Sequence, residues 1–125
     1  MHPNRLLTAA ALALAAVAAH AQPKPGISDD VVKIGLLLDM SGLYADVTGR
    51  GSAAAAQMAI DDFGGKVLGK KVELVVVDHQ NKADIAANKA REWFDTDKVD
   101  AILDVAASAP ALAVLDVARQ KNKVV

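Results

Sequence analysis

The sequence predicts an open, doubly wound parallel α/β sheet. Three observations predict it: short apolar runs each ending in aspartate, amphipathic helical stretches between them, and regular alternation of the two. Residues 31–38 closed by Asp39, 72–77 closed by Asp78, and 101–103 closed by Asp104 read as strands, and Val124-Val125 opens a fourth. Runs that are apolar throughout indicate strands covered on both faces of a parallel sheet.

The helices follow in order. Over residues 52–63, Ala56, Ala59, Ile60 and Phe63 fall at i, i+3, i+4 and i+7, which makes one apolar face. Gly64-Gly65 ends that helix, and Leu68-Gly69-Lys70-Lys71 turns the chain into the second strand. The next helix buries Ala86, Ala90, Trp93 and Phe94, with Asn81 as its cap and Asp84 reaching back three residues later. A third, over residues 109–122, carries the stripe Ala111, Val114, Leu115 and Ala118. The two large rings, Trp93 and Phe94, are core residues on this reading.

Composition narrows the function. Against 15 Asp and Glu stand 14 Lys and Arg, a formal charge of −1, which is not a nucleic-acid-binding balance. The absence of cysteine excludes disulfides, a thiolate nucleophile and Cys-ligated zinc or iron–sulfur sites. A length of 125 residues accommodates one domain at most.

Residues 1–21 read as a secretory signal peptide: a charged start at Met1 to Arg5, an apolar stretch over 6–19, and Ala19-His20-Ala21 with small residues where a signal peptidase cuts. Cleavage is expected between Ala21 and Gln22. The apolar stretch falls short of the ~20 residues a membrane span needs, so no stable membrane insertion is expected. Without a cysteine after it, no lipoprotein anchor forms. Residues 22–30 form a Pro-broken linker, and 31–125 form the folded part. The expected destination is the periplasm of a Gram-negative cell. Only His79 lies outside the leader, so zinc sites built from two or three histidines are excluded.

In sheets of this kind ligands bind beyond the carboxyl ends of the strands. The loops to examine are therefore 39–51, 78–83 and 105–110. The first is long, polar and flexible on this reading. Its Gly49-x-Gly51-x-x-Ala54 imitates a dinucleotide fingerprint, but ten residues separate Gly49 from Leu38, too many to turn the backbone under a pyrophosphate. In the third loop Ser108 has three readings. A nucleophile needs a glycine-flanked elbow, and its neighbours are alanines. A helix N-cap is the default, because every helix start needs one. A contact to a ligand carboxylate, with the free amides around it, is the third. The Asp78/His79 pair invites acid–base chemistry, but nothing supplies a nucleophile or metal beside it. Holding loop against loop is the favoured role for Asp78.

Several stretches in register resemble one family. Val32-Lys33-Ile34-Gly35, Met40-Ser41-Gly42-x-Tyr44, Ala59-Ile60-Asp61-Asp62, Gly64-Gly65-x-x-Leu68-Gly69-Lys70 and Val76-Val77-Asp78-x-Gln80 are similar to the leucine/isoleucine/valine-binding family of periplasmic solute-binding proteins. The resemblance implies a partial first lobe of a type I periplasmic binding protein fold. Such a protein closes two hinged lobes on an amino acid or related small carboxylic acid and delivers it to an ABC transporter permease. The stretch 78–84 and Trp93-Phe94 resemble a subgroup whose ligands include aromatic acids. The resemblance implies no cofactor and no enzymatic activity.

It also implies that Ser108, with Ala107 beside it, binds the ligand carboxylate, and that Ser41 and Tyr44 face the cleft. Ala109-Pro110 departs from the family's more hydroxylic pattern, which thins the polar complement there. Family members are much longer, so this chain is expected to be a fragment that folds poorly and does not bind tightly alone. The alternative from another class is an exported α/β hydrolase using Ser108 or Asp78/His79. A ligand-sensing module is a third reading.

Overall fold

The computed structural model describes residues 29–125. The 1–21 leader with its Ala21/Gln22 junction, and the linker up to residue 28, lie outside the described residues. Strand β1 spans Val31–Leu38, and a short helix α1, Ala45–Thr48, precedes α2, Arg50–Asp62. A hairpin of β2, Lys66–Val67, and β3, Lys70–Asp78, leads to α3, Ala83–Glu92, which continues as a π-helical turn over Trp93–Asp97. Strand β4, Ala101–Leu103, and helix α4, Ser108–Lys121, complete the order.

The sheet runs β2-β3-β1-β4. Strands β3 and β4 flank β1 in parallel, with Leu38 opposite Asp78 and Ile34 opposite Ala101. The antiparallel β2 joins β3 through Leu68-Gly69, both at positive φ, which is the backbone that a two-residue hairpin with right-handed strand twist requires. Val124 bridges Ala101 in parallel and accepts a 3.1 Å bond from the Ile102 amide, so the expected fourth strand does begin there.

One face of the sheet carries the core. Leu37 and Ile102 pack there with Ala86, Ala90, Trp93, Phe94, Val114 and Val117 from α3, its π turn and α4. Trp93 lies so close to β1 that a Cβ at Gly35 would sit 2.4 Å from its ring. The expected α3 face, including both rings, is buried.

Four local expectations are corrected. Helix α2 begins at Arg50 and half-buries Ala53, Ala56 and Ile60, while Ala59 and Phe63 are exposed. The two candidate arcs share Ala56 and Ile60 and differ in Ala53 against Ala59 and Phe63, so periodicity alone cannot choose between them; Phe63 falls at the C-cap, past the last helical residue. Helix α3 is not capped by Asn81. Gln80 and Asn81 are both spent in a left-handed turn, and Lys82 holds the cap position without a side-chain bond. On α4 the buried stripe is Pro110, Val114, Val117 and Ala118, whereas Leu115 is exposed. Finally, β1 is fully buried only from Gly35 onward and most of β3 is half-buried on both faces, Val75 and Val77 against the core as much as Leu74 and Val76. Among the described residues no helix is long and apolar enough to cross a membrane.

Candidate functional site

The chain leaves central β1, builds β3 on one side and then β4 on the other. The loops after β1 and β4 therefore diverge at a switch point, where open α/β sheets bind ligands. Ser41 and Tyr44 lie in the first of these loops, Ala107 and Ser108 in the second.

The first loop is tightly organised, contrary to the expectation of flexibility. Asp39 is fully buried and accepts hydrogen bonds from the Gly42 amide at 2.6 Å and the Tyr44 amide at 2.9 Å. Asp78, at the end of the neighbouring strand, accepts from the Met40 amide at 2.9 Å, the Ser41 hydroxyl at 2.6 Å and the Gln80 amide at 2.8 Å. Burial alone would push the Asp78 carboxyl up, but these three donors and nearby His79 outweigh it and hold it below the ordinary value. Asp78 thus holds loop against loop, the role favoured for it from sequence. The sequence signal for the role of Asp39 is slight: an aspartate at a strand end with glycine three residues later.

His79 is fully buried behind this loop. Its amide donates to Leu38 O at 2.8 Å, and its Nδ1 accepts from the Asn81 amide at 3.0 Å. The neutral ring therefore carries its proton on Nε2, which is buried with no partner among the described residues. Burial lowers the His79 pKa, and the charges of Asp39 and Asp78 only partly oppose this.

In the second loop Ala107, not Ser108, is the N-cap of α4, and among the described residues no side chain caps the helix. Ser108 is the first helical residue and is exposed. The cap reading of its hydroxyl is thereby removed. The first helical bond runs from the Ala111 amide to Ala107 O at 2.9 Å, which leaves the Ser108 and Ala109 amides ahead of it at the loop. Tyr44 stands at the start of α1 with its side chain partly exposed, and Ser41 is exposed with its hydroxyl turned to Asp78.

The model of a periplasmic binding protein family matches residues 31–125. The chain belongs to this family. A periplasmic binding protein from Burkholderia mallei is 57% identical and superposes with a TM-score of 0.74, over 76% of this chain and 25% of its own. A branched-chain amino acid ABC transporter periplasmic ligand-binding protein from Burkholderia xenovorans is 54% identical, with a TM-score of 0.70, over 74% of this chain and 25% of its own. A solute-binding protein of an ABC transporter from R. palustris, solved with benzoate, is 27% identical, with a TM-score of 0.68, over 75% of this chain and 27% of its own. The chain spans about a quarter of the length of these relatives. No curated protein sequence matches it.

As a periplasmic binding protein, the chain gives the hydrolase alternative no support. Ser108 opens a regular helix, not a strained elbow at positive φ. His79 is buried with Nδ1 committed to Asn81, its Nε2 bonds no serine hydroxyl among the described residues, and Asp78 is occupied by the loop.

Proposed function

We propose that this chain forms the sheet and loops of the first lobe of an ABC importer's substrate-binding component, which takes up a small carboxylate, either an amino acid or an aromatic acid. A second lobe and a permease would complete the system. The N-terminal leader would place it in the periplasm, with cleavage between Ala21 and Gln22. The observation that carries the reading is the uncapped start of α4 at the switch point, where the Ser108 hydroxyl is exposed beside two amides that precede the first helical bond. A carboxylate there would accept from the hydroxyl and the amides and would sit at the positive end of the helix dipole. Tyr44 and Ser41 would border it from the loop after β1, and Ala107 would leave room for it. The relatives from Burkholderia xenovorans and R. palustris support the ligand class by what they are described as binding: branched-chain amino acids in one, benzoate in the other.

The test is a full-length chimera in which residues 31–125 replace the matching quarter of the Burkholderia mallei relative. Calorimetry with leucine, isoleucine and benzoate should show saturable binding of at least one of them. A folded chimera that binds none would contradict the proposal.

A further inference from the structure

We infer that Asp39 is a positioning residue of the binding site: its buried carboxylate gathers the Gly42 and Tyr44 amides and so fixes the loop that carries Ser41 and Tyr44. This rests on the functional reading above and adds a residue that does not itself face the ligand. Three observations carry it. Asp39 is fully buried at the end of β1, yet both of its carboxylate oxygens are used, Oδ1 by the Gly42 amide and Oδ2 by the Tyr44 amide. Gly42 is shaped to that carboxylate, since a Cβ on it would lie 2.5 Å from Oδ1. The turn is then pinned from the far side, because Asp78 takes the Met40 amide and the Ser41 hydroxyl. Each amide from Met40 to Tyr44 that bonds a side chain bonds one of two aspartates at the ends of adjacent parallel strands, Asp39 at the loop's own first position and Asp78 on the neighbouring strand.

Such a loop meets a ligand already ordered, so association does not have to order it. The neighbouring Gly49, where a Cβ would lie 2.3 Å from Ala45 O, lets α1 turn directly into α2 behind it. Asp39 thereby links the end of the central strand to the side chains at the cleft.

The test is amide hydrogen exchange on the full-length chimera, without ligand, for the unsubstituted protein, Asp39→Asn and Gly42→Ala. The asparagine keeps the shape, but its Nδ2 can only donate, so one of the two loop amides loses its acceptor. The unsubstituted protein should protect Gly42 and Tyr44. Asp39→Asn should speed exchange of at least one of them by about tenfold or more while β1 and α4 amides keep their rates, the mark of local opening. Gly42→Ala, which leaves the carboxylate in place, should produce the same local pattern. Unprotected Gly42 and Tyr44 in the unsubstituted protein, unchanged rates in both variants, or equal acceleration across β1 and α4 would overturn the inference. No ligand enters this experiment, so its failure refutes positioning whatever the chain binds. A chimera that binds nothing, with the exchange pattern intact, refutes the functional reading alone.

Discussion

The Ser41 hydroxyl donates to Asp78 Oδ2 at 2.6 Å, joining the loop after β1 to the end of the next parallel strand. The same carboxylate takes the Met40 and Gln80 amides, so one side chain serves two loops. A strand-ending aspartate in a parallel sheet is well placed for this, because neighbouring strands deliver their loops to the same edge.

Asp78→Ala removes the acceptor of three donors and should lower the stability of the chimera by about 1–3 kcal/mol, the range for leaving hydrogen-bonding groups unmade. Urea denaturation would measure it. Loss below a few tenths of a kcal/mol would show that water replaces the carboxylate at no cost.

Gly35→Ala should destabilise by about 1–3 kcal/mol, the usual cost of forcing extra volume into a packed core, because the added methyl meets the Trp93 ring. Tryptophan fluorescence should shift together with the lowered unfolding midpoint. A neutral substitution would mean that Trp93 has room to move off β1.

Stability should depend on pH in two steps. His79 has a lowered pKa in the folded state, so the unfolded chain binds its proton more readily. Its contribution is therefore complete above the ordinary value of 6.5 and is lost as pH falls from there through the folded-state pKa. Asp78, also lowered, contributes fully above its ordinary value of 3.8 and loses that contribution as pH falls further. Urea midpoints measured from pH 8 to 3 should decline first below about 6.5, and His79→Gln should flatten that upper step while leaving the lower one. An upper step unchanged in His79→Gln would assign it to another group.

Much of the fold was legible in the sequence because its signals are local. The apolar runs ending at Asp39, Asp78 and Asp104 mark β1, β3 and β4, whereas the two-residue β2 is too short to show a strand pattern, and Leu68-Gly69 reads only as a turn into the next strand. Ala86, Ala90, Trp93 and Phe94 could face only one way, since no competing apolar arc exists on that helix. The misreadings arose where tertiary context decides. Helix α2 offers two overlapping arcs, and the half-buried one is that without Phe63. Val117 displaces Leu115 from the core, although the larger residue has the stronger hydrophobic signal. Asn81, a good cap by residue type, was used by the left-handed turn before the helix began. Near the candidate site the strand ends mark where the loops begin, but the hold of Asp39 on Gly42 and Tyr44 depends on burial, which no short motif announces.

The most direct measurement is the effect of Ser108→Ala on carboxylate binding by the chimera, read by calorimetry with whichever of leucine, isoleucine or benzoate it binds. A hydrogen bond from the hydroxyl to a charged carboxylate contributes about 1.5–3 kcal/mol. The account predicts that affinity falls roughly 10- to 100-fold with the unfolding midpoint unchanged, since Ser108 is exposed and caps nothing. Unchanged affinity would contradict it and remove the carboxylate from the start of α4.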